Sequence, residues 1–190
     1  MCLIGCSLET LSAITAATNL VLASESPLPL TDAQQDQCRS LVQRLECAQQ
    51  DVEDRVISAP DKHKIQSIAE LYRLAGLIYL LRTNGQSSTL EDVELHVSSA
   101  FTILDTLDTC ERAFPMFIIG CEARSDVERQ RVLALFSRTQ QHRYSGSLIV
   151  AQHMVERSWV QDDLYPEVAI DYTRKLNLIM SSYTFLPTFT

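Results

Sequence analysis

Apolar residues recur every three to four positions along almost the whole chain, and no sustained alternating pattern appears. That period buries one stripe of a helix, whereas a strand with one wet face needs a period of two. The spacing therefore predicts an all-α protein. Leu74 to Leu81 is apolar on every side, which predicts a central helix with no solvent face. Only five glycines occur in 190 residues, and Leu, Ala, Gln and Glu are plentiful, a composition that favours helix.

Stripes and caps together predict an irregular array of about eight helices. The first runs from Leu8 to about Ser24, with Ser7 as N-cap, and Pro27 and Pro29 break the chain after it. Thr31 and Gln34 form a capping box for a helix carrying Cys38, Leu41, Val42, Leu45, Val52 and Val56 and ending before Pro60. The third helix begins near Ile65 and stops at Asn84-Gly85. Ser88 and Glu91 box a fourth, with Val93, Val97, Ala100, Phe101, Leu104 and Leu107 on one face.

Pro115 suits the first turn of a short helix to Cys121, and Ser125 with Glu128 boxes another to about Gln141. Leu148, Ala151, Val155 and Trp159 mark the inner face of the next, which makes Trp159 a structural keystone. Pro166 starts the last, along Val168, Tyr172, Leu176, Ile179 and Tyr183. Residues 1–190 are expected to form a single domain, the default for this length.

Composition also excludes functions. A net charge of -8 opposes a nucleic-acid surface, which needs clustered Lys and Arg. Arg124, Arg129 and Arg131 alternate with Asp126 and Glu128 and read as a solvated helix face. The six cysteines contain no CxxC pair, so no zinc site and no other metal or cofactor is expected. Reduced thiols fit best, with Cys38 and Cys121 filling apolar space. The N-terminus lacks the basic segment of a signal peptide, and Leu74–Leu81 is too short to span a bilayer. An intracellular chain without a membrane span is expected.

No catalytic constellation is recognisable. None of the four histidines stands one turn from another. In Ser145-Gly146-Ser147 the glycine lies between two serines, whereas a nucleophile elbow needs Gly on both sides of its Ser, so the segment reads as a helix cap. Asp162 and Asp163 point in different directions, with no base or nucleophile nearby, and also read as a cap. Glu122, Arg124, Arg143 and Glu156 are expected to form a polar network fixing the register of three helices, or alternatively a polar anchor for a small ligand. Tyr72, Phe101, Phe114, Met116, Phe117, Phe136, Met154 and Trp159 are core by default, although Met and aromatic side chains also line adaptable pockets.

Three segments carry a resemblance. Phe114-Pro115-Met116-Phe117-Ile118-Ile119-Gly120-Cys121-Glu122-Ala123 is the first. A charged helix follows it, then Arg143 with Gly146-Ser147, then Glu156 and Trp159 ahead of Asp162 and Asp163. Upstream stands Leu71-Tyr72-Arg73-Leu74-Ala75-Gly76-Leu77-Ile78-Tyr79-Leu80. Together these resemble the C-terminal regulatory domain of fungal zinc-cluster transcription factors, most strongly over Ile68 to Asp163.

The resemblance implies an all-α regulatory domain, nuclear or cytoplasmic, that associates as a homodimer or with a co-regulator protein. It implies a small apolar metabolite as ligand, with Tyr72, Phe101, Phe114, Met116, Phe117, Met154 and Trp159 as the lining. Gln161 stands where relatives often have Arg, which weakens any ion pair inferred there. The family's dense cysteine cluster is missing, so no direct DNA binding is expected of these residues, and the chain reads as a fragment or a short stand-alone homologue. Two alternatives stay open. One is a ligand-free interaction scaffold; the other is a small-metabolite enzyme, with Glu122, His142 and His153 as weak acid or base candidates.

Overall fold

The computed structural model describes residues 8–23, 31–48, 59–84, 90–164 and 172–183. These form α1 (Leu8–Ala23), α2 (Asp32–Cys47), α3 (Ala59–Asn84), α4 (Leu90–Thr106), α5 (Ala113–Gly120), α6 (Asp126–His142), α7 (Gly146–Leu164) and α8 (Tyr172–Ser181). No strand occurs among the described residues. The expected helical array is therefore present. Its contacts divide into two compact units, Met1–His96 and Val97–Thr190, with the division inside α4.

In the first unit α1, α2 and α3 each pack against the other two. The reason is the sequence of α3. Leu71, Leu74, Leu77, Ile78 and Leu80 are fully buried, and each contributes about 1.5–3 kcal/mol relative to exposure. Leu81 is only half-buried and ends the apolar run. Gly76 marks the closest approach, because a Cβ there would lie 3.0 Å from Ile14 Cγ1 and 3.2 Å from Leu45 Cδ1. Arg73 reinforces the junction, pairing with Glu70 and reaching the Leu45 carbonyl at 3.5 Å.

Two of the three capping boxes expected from the sequence form, and the third, of Ser88 and Glu91, falls on Ser88, outside the described residues. Gln34 N–H donates to Thr31 Oγ1 while the Thr31 N–H donates to Gln34 Oε1, and Ser125 and Glu128 exchange the same pair of bonds at α6. Helix α2 stops earlier than its apolar stripe predicts. Ala48 is already extended (φ -66°, ψ 112°), which ends the helix at Cys47. Val52 and Val56 lie outside the described residues, as do Ser7, Gly85, Ser88, Pro166 and Val168. Helix α3 begins at Ala59, ahead of the Ile65 expected, because Pro60 is tolerated in a first turn where no N–H is required.

The second unit is organised around α5, all eight residues of which are buried. Helices α6 and α7 pack on it and on each other, and α8 packs on α7. Gly120 fixes the α5–α7 separation, since a Cβ there would lie 2.9 Å from Val155 Cγ2 and 3.4 Å from Val132 Cγ1. Val155 is β-branched and stiff at χ1, so it yields little.

Gly120→Ala should therefore lower stability despite the better helix propensity of Ala. Overpacking costs about 1–3 kcal/mol, which outweighs a propensity gain of about 1 kcal/mol or less. Urea denaturation checks this. Combining it with Val155→Ala should cost less than the sum of the two single losses.

Candidate functional site

The junction of α5, α6 and α7 gathers most of the side chains to which the sequence assigned a role. Phe114, Met116 and Phe117 lie on α5, Met154 and Trp159 on α7, and all five are buried. Phe101, also buried, belongs to the part of α4 in this second unit. Tyr72 lies on α3 in the first unit and is buried there.

Trp159 is the joint between these helices. Its indole N–H donates to the Gly120 carbonyl at 2.9 Å, joining α7 to the end of α5. The Arg129 guanidinium of α6 lies over the indole ring, 5.5 Å from its centroid. Arg129 also makes a two-pronged ion pair with Asp163, both bonds 2.8 Å. Trp159 and Asp163 stand one turn apart on α7 and receive the same guanidinium, one as a ring face and the other as a carboxylate.

Arg129 thus departs from the solvated helix face expected of it. Its side chain is 18% exposed, less than the 52% of Arg131, which bridges to Asp105 at 3.0 Å. The adjacent carboxylates depart too. Asp163 holds α6 through Arg129, while Asp162 holds α8 through Lys175, whose ammonium donates to both carboxylate oxygens at 2.7 Å. Ion pairs therefore form on both sides despite Gln161.

Of the four residues expected to form one polar network, the structure pairs Glu122 with Arg124 at 3.8 Å. Glu156 accepts from the Gln152 amide at 2.8 Å, and Gln152 accepts from Gln140 at 2.9 Å, linking α6 to α7. Arg143 is exposed and contributes its backbone N–H to the end of α6. Other residues supply further cross-links. Thr139 Oγ1 accepts the Cys110 N–H at 2.9 Å, and Arg138 donates to the Asp108 and Leu107 carbonyls at 3.1 and 3.3 Å.

The acid and base candidates are not gathered. Glu122 is buried, whereas His142 at the end of α6 and His153 on α7 are both exposed. Cys121 is wholly enclosed, and desolvation pushes its thiol up to about 12, so it stays neutral at ordinary pH while it is enclosed. Cys38 and Cys110 are likewise buried free thiols, and Cys47 is an exposed one. Among the described residues no cluster of three or more His, Cys, Asp or Glu could hold a metal ion, and no helix is long and apolar enough to cross a membrane.

A family profile described as the fungal specific transcription factor domain matches residues 2–182. The chain belongs to this family. The match extends well beyond the Ile68–Asp163 region that carries the sequence resemblance. The fungal specific transcription factor domain seen here is also similar to transcription factor iacI of Pestalotiopsis fici, with 35% identity over 123 residues. That alignment covers 64% of this chain and 32% of the relative, so the chain matches about a third of the relative's length. No solved structure matches significantly.

Two outcomes follow from the geometry. Trp159→Ala should cost about 3–5 kcal/mol through lost burial and the cavity left behind, read as a shift in the denaturant midpoint. The second concerns acid. The Ser125 backbone N–H, followed by that of Arg124, holds the Glu128 carboxyl below its ordinary 4.5. The resulting stabilisation is complete above about pH 4.5 and drains away as pH falls through the lowered folded value. Glu128→Gln should flatten the fall in stability between about pH 5 and pH 3, measured by urea unfolding at each pH.

Proposed function

We propose that this domain is the regulatory part of a fungal transcription factor and responds to a small apolar metabolite. The observation that carries the regulatory reading is the family match over residues 2–182, supported by the likeness to a protein named as a transcription factor. The ligand reading draws on the core of the second unit. Met116 and Met154 are unbranched and polarisable, and they share that core with Phe114 and Phe117, a combination able to repack around a guest. Phe101 and Trp159 complete the proposed lining in this unit.

A second reading has its own observation. Gly120 touches Val155 so closely that the α5–α7 contact has no spare room. That favours a ligand-free scaffold whose partner is a second copy or a co-regulator protein. Both readings place the domain in the nucleus or cytoplasm, and both leave DNA recognition to residues other than these. With a net charge of -8 the chain has little to offer phosphates.

Thermal shift against sterols, terpenoids and polyketides separates the two. A ligand that binds only the folded state raises stability by about 2.7 kcal/mol at a hundredfold excess over its Kd. Phe117→Trp, which fills space in the same core, should abolish the shift. No stabilisation by any apolar class points to the scaffold.

A further inference from the structure

Helices α7 and α8 run antiparallel, as their pairings show. Asp162, late in α7, meets Lys175, early in α8, whereas Arg157, a turn and a half earlier, donates to Ser182 Oγ at 2.6 Å. The same Arg157 guanidinium lies over the Tyr183 ring at 5.0 Å. Two polar clasps therefore hold the two ends of α8. Between them only Leu176 and Ile179 are buried apolar residues, while Asn177 and Leu178 face outward.

The surface beneath is unusual for a packed interior. Ser158 on α7 is fully buried, yet apart from a weak contact with the Cys121 thiol its hydroxyl finds no hydrogen-bond partner among the described residues. The Gln161 side-chain oxygen, three residues along, is buried and unpaired in the same sense. Contact with water would return the hydrogen bonds that these two groups forgo. Cys121 lies close enough to Lys175 and Asp162 for both charges to act on its thiol.

Closure of α8 thus includes the burial of two apolar side chains and two clasps, one of them a Lys–Asp pair whose desolvation offsets much of its attraction. It forgoes the hydration of two polar groups. Helix α5, with all eight residues buried and partners on α6 and α7, has no comparable weakness.

We propose that α8 is a releasable cover, opening as a unit from α7 while α5, α6 and α7 stay folded, and so gating access to Cys121 and the Ser158–Gln161 face. Local opening of this kind falls well below the free energy of global unfolding.

Thiol alkylation of the full chain with iodoacetamide at about pH 8, read by peptide mass spectrometry in rising urea, tests it. Cys110 is the internal reference, because it is fully buried and its segment is tied to Thr139 on α6. Below the unfolding transition Cys121 should label faster than Cys110, with a rate nearly independent of urea. Leu176→Ala should speed Cys121 labelling at least about tenfold and leave Cys110 unchanged in the absence of urea. Equal rates and equal urea dependence for the two thiols in the unaltered protein would overturn the proposal, whatever the variant does.

Discussion

Helix α5 has no polar face, so it persists only while enclosed, and the meeting of Gly120 with Val155 and Trp159 completes that enclosure. The glycine lets α7 approach until the valine methyls occupy the space of a missing Cβ. At that distance the indole reaches the last carbonyl of α5. A helix ending inside a protein leaves carbonyls that water cannot reach, and each needs a donor. Trp159 supplies one, while turns from Cys121, Glu122 and Ala123 satisfy Phe117, Ile119 and a second bond to Gly120. The Gly-Cys-Glu-Ala segment is thus a helix terminus built to be buried.

Around that apolar centre, charge fixes the positions of the helices. Arg129 brings the start of α6 to the end of α7, and Lys175 brings α8 to the same turn of α7 from the other side. Neighbouring residues Asp162 and Asp163 receive them, because successive side chains on a helix diverge by about 100°. Such pairs contribute modestly to stability, yet each permits only one rotational setting of its helices. Apolar stripes alone tolerate sliding, and a planar guanidinium held between a ring and a carboxylate does not.

The helices were legible because their causes are local. A 3.6-residue stripe needs only neighbours in sequence, and the Thr31–Gln34 and Ser125–Glu128 boxes close over three residues. The end of α2 was less so, since Val52 and Val56 continue the stripe beyond Ala48, where the backbone turns extended. The cross-links were hidden for another reason. Arg129 and Asp163 are 34 positions apart and Trp159 and Gly120 are 39 apart, so their pairing depends on how helices cross. One clue was available: an aromatic and a carboxylate one turn apart on α7, opposite a helix rich in arginine. The candidate lining was readable as core, and α5 and α7 bring five of its members into one unit, but periodicity carries no information about which unit a buried residue joins.

The chain contains a single tryptophan, and that residue sits where three helices of the second unit converge, beneath a guanidinium. Its emission is therefore an optical reporter confined to one half of the molecule. Met1–His96 has no counterpart and is silent at those wavelengths, whereas backbone ellipticity sums over every helix. Following both signals through one denaturation curve separates the melting of the two halves without adding a label. Superposed curves would mean a single cooperative unit, and a gap between them would measure how much stability the halves hold independently.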